Sequence, residues 1–174
     1  MSDRRTARQT RPPRPAAPLP GGVDLMDRTH HHTQQVLLQM VQLADLLGQG
    51  APTADTASLA ARVCTFFNGP VRGHHEAEET QVFPGLLERG DAALREHVRR
   101  LQQDHMWLEE DWLELEPHLQ AVASGYCTDH REFLRAALPE FAELCLQHMA
   151  LEESLVHPEA GLPLVLTETG DQEL

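Results

Sequence analysis

Three times in this chain a histidine is followed four residues later by a glutamate inside an apolar, helix-patterned run: His75 and Glu79, His105 and Glu109, His148 and Glu152. Four residues is slightly more than one helical turn, so each pair projects an imidazole and a carboxylate from one helix face. A lone His30 on an earlier run completes a set of nitrogen and oxygen donors about the size that a two-metal centre needs. Such a chain must fold so that several helices turn these faces toward one another.

The apolar pattern gives those helices. The first starts near Asp24 and carries Met26, His30, Thr33, Leu37, Met40, Ala44 and Leu47 on one stripe, ending at Gly48 and the Gly50–Pro52 turn. The second, capped by Thr53, runs through Leu59, Val63, Phe66 and Phe67. Gly69–Pro70 should kink it, and it continues through Val71, His75, Glu79 and Phe83 to a turn-like stretch at Pro84–Gly90. Asp91 announces the third, whose stripe is Leu94, Val98, Leu101, His105, Leu108, Trp112, Leu115 and Leu119, closed by Ser124–Gly125. Asp129 and Glu132 form a capping box for the fourth, with Phe133, Ala137, Phe141, Leu144, His148, Leu151 and Leu155 on its stripe and a stop at His157–Pro158. No alternating, strand-like segment competes. The expected fold is all-α, an antiparallel up-and-down four-helix bundle over residues 23–160, with a disordered Arg/Pro-rich tail over 1–22 and a short C-terminal tail over 161–174.

Charge narrows the partners. All 14 basic residues are arginine, and residues 1–20 hold five of them against one acid, Asp3. The rest has nine arginines against 26 acids, a formal charge of −17. So acidic a body is a poor surface for phosphate backbones, which argues against nucleic acid. No run approaches the ~20 apolar residues that a membrane-spanning helix needs. Arg4–Arg5 is followed by polar sequence instead of the apolar segment of an export signal, so the expected compartment is the cytoplasm. Cys64, Cys127 and Cys145 form no Cys-x-x-Cys pair; the first and last sit in apolar sequence as small core residues.

Stripe membership selects among the eleven histidines. His30, His75, His105 and His148 lie on their helices' apolar lines. His31, His32 and His74 have polar company, His74 leading to Glu78 and Gln81, and read as solvated. A buried glutamate is costly unless paired or metal-bound, and three of them on inward faces call for a cation. Heights agree in part: His30, His75 and His148 fall roughly 9–12 Å from one end of the bundle, at 1.5 Å per residue. His105 lies roughly 21 Å along its helix, so the third helix must overhang that end by two turns.

At these residues the chain resembles the hemerythrin-like (HHE cation-binding) family. The resemblance covers roughly residues 24–158 and rests on four segments: His30, His74-His75-Glu76-Ala77-Glu78-Glu79 with Val82-Phe83-Pro84, Asp104-His105 with Glu109, and His148-Met149-Ala150-Leu151-Glu152-Glu153. It implies a non-haem centre of two iron ions in a four-helix bundle, with His30, His75, His105 and His148 as terminal imidazoles and Glu79 and Glu152 as bridges. Oxygen-carrying members have a histidine where this chain has Glu109. That departure implies a site of four imidazoles and three carboxylates, which favours the ferric state over reversible oxygen carriage. Imidazole with carboxylate also suits manganese or zinc.

Two function classes follow. The first is a binding or sensing module for oxygen, nitric oxide, iron or redox state, acting through a protein partner. The second is an oxidoreductase of the ferroxidase or peroxide-reducing kind. The chain's one tyrosine, Tyr126, falls in a loop away from the expected site, which favours binding or sensing.

Overall fold

The computed structural model describes residues 22–50, 53–126 and 130–156. The expected tails, Cys127, Asp129 of the capping box and the His157–Pro158 stop lie outside the described residues, as do the side chains of Met26 and Leu155. Four helical rods pack side by side. The first is α1, Gly22–Gln49. The second is built of α2 (Ala54–Phe66), α3 (Arg72–Ala77) and α4 (Phe83–Arg89), joined by π-helical turns at Phe67–Val71 and Glu78–Val82. The third is α5, Ala92–Ala123, and the fourth is α6, Arg131–Leu151, which runs into a third π-turn at Glu152–Val156. The first rod lies beside the second and fourth, and the third also touches both, so chain neighbours are spatial neighbours around a square. No strand occurs among the described residues.

Local chemistry sets the boundaries. The Thr53 hydroxyl accepts from the Thr56 N–H while the Thr56 side chain answers the Thr53 N–H, a reciprocal cap on α2. Asp91 caps α5 by accepting from the Leu94 N–H at 2.8 Å. Gly125, at φ 81°, takes the left-handed conformation that ends α5. Between α4 and α5 the chain turns so tightly at Gly90 that a Cβ there would sit 2.6 Å from the Leu86 carbonyl oxygen. Only glycine fits.

The second rod departs from expectation in two places. Gly69–Pro70 does not interrupt it, because the π-turn accommodates the proline's missing N–H within a continuous helix. The stretch expected as a turn at Pro84–Gly90 is helical through Arg89; Pro84 sits in the first turn of α4, where no helical N–H is needed. This extension supplies the two turns that the overhang of α5 requires. Phe83 and Leu86 of α4 pack on Val98 and Leu101 of α5 as a small separate core.

The main core runs along the rest of the bundle and includes Met40, Leu43, Leu47, Val63, Trp112, Leu119, Leu134 and Leu138. The stripes expected for α1 and α5 are buried from His30 to Leu47 and from Val98 to Leu119, with Leu94 half-buried. On α6 the buried line is instead Leu134, Leu138, Phe141, Ala142, Cys145, His148 and Met149. Phe133 and Leu144, expected inside, are 36% and 46% exposed. That helix is apolar on two adjacent faces, and the seam follows the heptad steps 134, 138, 141, 145 and 148. Trp107, expected to pack, is half exposed, whereas Trp112 is buried.

Candidate metal centre

Between the two cores lies a polar cluster to which all four rods contribute. His30, His74, Glu78, His105, His148 and Glu152 are buried there, and both glutamates have no exposed surface. Phe83 stacks on the His105 ring from the small-core side, 5.6 Å between centroids. On the other side Phe67 stacks on Trp112 at 4.7 Å. Trp112 in turn donates its indole N–H to Asn68, a residue of the first π-turn.

The second rod presents two adjacent histidines, not one. His74 reaches His30, with their Nε2 atoms 3.0 Å apart. His75 stacks on His105 at 4.1 Å and meets His148 edge-on at 5.5 Å. Glu78 stands four residues after His74 and three after His75, and both spacings are neighbours on a helix surface. Of the two rings, His74 lies nearest that carboxylate, its Nε2 3.5 Å from Glu78 Oε2. The reading of His74 and Glu78 as solvated is corrected: they are buried, and Glu79, expected at the centre, stands one position further round. Glu79 instead receives Gln102 at 2.6 Å and the Nδ1 of His105 at 2.9 Å.

Glu109 also stands apart from the cluster. Its carboxylate accepts two hydrogen bonds from the Arg72 guanidinium, and both side chains are about two-fifths exposed. The guanidinium, 37 residues away in the chain, draws it outward. His30, His75, His105, His148 and Glu152 of the expected set lie together; His74 and Glu78 join them.

Seven buried side-chain atoms of the cluster have no hydrogen-bond partner: both oxygens of Glu78 and of Glu152, both nitrogens of His148, and Nε2 of His105. So many orphaned donors and acceptors in one place are not tolerated in a finished core. Their spacing fits cations. His148 Nε2 lies 2.9 Å from Glu152 Oε1, His30 Nε2 3.1 Å from Glu152 Oε2, and His105 Nε2 3.4 Å from Glu78 Oε2. Ligand atoms about 2.1 Å from one ion and at right angles stand about 3 Å apart. Three groups of donors have ligand atoms that all lie within 4.8 Å of one another: His30, His74 and Glu152; His75, His105 and His148; and Glu78, His105, His148 and Glu152.

Electrostatics points the same way. Burial holds the His74 and His75 imidazoles below their usual range, in the neutral form that binds metals. Burial would raise both central carboxylates. At Glu152 the proximity of His148 first, then of His105 and His30, overcomes that and holds it well below the carboxylate range. Glu78, beside the Glu152 charge, is pushed well above it. Burial opposes the charge of His105, yet Glu152 and Glu78 push its pKa up to about 10. Without an ion, the cluster balances its charge with protons.

The sequence profile of the Hemerythrin HHE cation binding domain matches residues 21–160, which includes every residue of the cluster. The chain belongs to the hemerythrin HHE cation-binding family. An uncharacterized protein of Haemophilus influenzae is similar to it, 25% identical over 150 residues that make up 85% of each chain. No solved structure matches significantly. As a hemerythrin HHE domain the protein is a cation-binding helical bundle, and its buried His/Glu cluster has donors that could hold a cation. Among the described residues no helix is long and apolar enough to cross a membrane.

Proposed function

We propose that the cluster holds two iron ions and that the protein binds or senses a small ligand such as oxygen or nitric oxide. The observation that carries this reading is the set of seven orphaned buried atoms in a cluster of three donor groups, two of which share Glu152. In it, His30 and His74 would hold one ion and His75, His105 and His148 the other. Glu152 and Glu78, near both groups, would supply the shared negative charge. Iron so held supplies a redox-active Lewis acid. Manganese or zinc would fit the same donors less distinctively.

This donor set has five imidazoles and two carboxylates, not the four and three expected from sequence. The fifth imidazole, absent at Glu109, comes from the His74–His75 doublet of the second rod, which contributes two rings where one was expected. Reading Glu109 as a source of excess negative charge therefore loses its basis, and reversible ligand binding regains ground. A cavity of about 30 Å³ lies beside the cluster, lined by Phe67, Leu108, Trp112, Phe141 and Met149 on its apolar side. It has room for roughly one or two water-sized molecules, which suits a diatomic and excludes a larger organic substrate. Of the cysteines, Cys145 lines the cavity, but burial pushes its thiol far up and out of reactive range. Binding or sensing, with output through a protein partner in the cytoplasm, is the reading favoured over ferroxidase or peroxide chemistry.

Metal analysis with an optical spectrum of protein purified without added metal tests it. Two irons per chain with near-ultraviolet charge-transfer absorption are expected. A colourless protein with one zinc per chain would overturn it.

A further inference from the structure

The cavity beside the cluster is walled mostly by buried side chains, and its solvent-exposed charged lining residues are Arg72 and Glu109, 42% and 41% exposed. They come from different rods. Arg72 opens α3, Glu109 lies on α5, and the guanidinium engages the carboxylate through Nε at 3.2 Å and through a terminal nitrogen. A two-point link of this kind fixes both position and plane. The same cavity is lined by Val71, Leu108 and Trp112 and by the imidazoles of the cluster, which are mostly buried.

From this geometry we propose that the Arg72–Glu109 pair is the gate of the cavity. Closed, it ties α3 to α5 across the mouth and presents no net charge. When Arg72 swings into solvent, an apolar path past Trp112 opens to a neutral molecule of a few atoms. What lies at the foot of that path rests on the metal reading above; the gate itself does not. Both side chains are well hydrated, where an ion pair holds only weakly, and exposed side chains change rotamer within picoseconds to nanoseconds. The gate therefore slows passage without sealing the cavity, and salt, which screens the pair, opens it.

Trp112 lines the cavity and is buried, and Trp107 is the chain's other tryptophan and lies outside the lining. In a Trp107→Phe background, lifetime quenching of Trp112 by dissolved oxygen reads access to the cavity directly, using air-oxidised full-chain protein as purified. Arg72→Ala and Glu109→Ala should each raise the quenching rate about two- to five-fold, the ratio matching the weak coupling of an exposed pair. The swapped pair, Arg72→Glu with Glu109→Arg, should return it toward the parent. Should the variants fold poorly, raising salt on the parent protein is the second measurement, with the same rise expected. A quenching rate unmoved by the substitutions or by salt overturns the gate. A rate that responds in protein found to carry no iron as purified leaves the gate standing and overturns the metal reading instead.

Discussion

The Nδ1 of His105 lies 2.9 Å from the Glu79 carboxylate, which leaves Nε2 as the nitrogen turned into the cluster. His30 repeats the arrangement, its Nδ1 3.1 Å from Glu153. Each Glu–Glu doublet thus divides its work. The first glutamate enters the cluster, and the second grips a histidine of another rod from outside. A carboxylate on the far nitrogen fixes the tautomer and makes the imidazole a better donor. Glu79→Ala should weaken metal binding about 10–100-fold, whereas Glu78→Ala should cost the protein at least one of its metals outright. Glu109→Ala should leave the metal content unchanged. Metal analysis after dialysis against graded chelator distinguishes the three, and loss of metal from Glu109→Ala alone would reverse the assignment.

The protons of the metal-free cluster set a pH dependence. His105 titrates near its ordinary 6.5 when unfolded and near 10 when folded, because Glu152 and Glu78 outweigh its burial. Its contribution to stability is complete below pH 6.5 and is lost as pH rises toward 10, since there the folded state holds a proton that the unfolded chain has released. The raised Glu78 acts in the same direction. The melting temperature of chelated protein should therefore fall from pH 6.5 upward. Metal affinity should rise over the same range, because an ion must displace those protons. Calorimetry in buffers of different ionisation enthalpy should show proton release on metal binding. No release would mean that the cluster is not protonated as described.

Phe83 is fully buried, belongs to the small core and stacks on His105. Phe83→Ala should cost about 3–5 kcal/mol, through lost transfer free energy and the cavity left behind. Denaturant unfolding of metal-loaded protein measures it. A loss below about 1 kcal/mol would show that α4 contributes little to the closed end of the bundle.

Burial pushes the Cys64 thiol up to about 11, with the Glu116 charge adding to the effect. At pH 8 it is almost wholly protonated, and both Cys64 and Cys145 are buried. Neither should react with an aromatic disulfide reagent until denaturant is added. Rapid labelling of Cys64 in native protein, located by peptide mapping, would contradict its place in the core.

Much of this was legible in the chain. The stripes of α1 and α5 follow unbroken 3.6-residue periodicity, so His30 and His105 were placed with their apolar neighbours. The second rod was harder for a physical reason. His74–His75 and Glu78–Glu79 are doublets, so a reading along steps of four finds a plausible pair in either register. The step of four from His74 to Glu78, which brings a second histidine and its carboxylate into the cluster, is the overlooked signal. The π-turns that begin at Glu78 and Glu152 leave no mark in composition; the i→i+5 bond from the Phe83 N–H to the Glu78 carbonyl is seen only in the fold. Glu109 could not be placed from sequence, since its orientation is set by Arg72 on another rod.

The position of the cluster makes the two ends of this bundle unlike. Leu47, Leu119 and Leu134 pack one end around hydrocarbon, and the neighbouring His118 and His130 meet at 2.7 Å. Toward the other, His30 and Glu153, 123 residues apart in the chain, meet beside the cluster. A cation bound there would tie the four rods together, so its loss should be felt first at that end, as a loosening that leaves the leucine end in place.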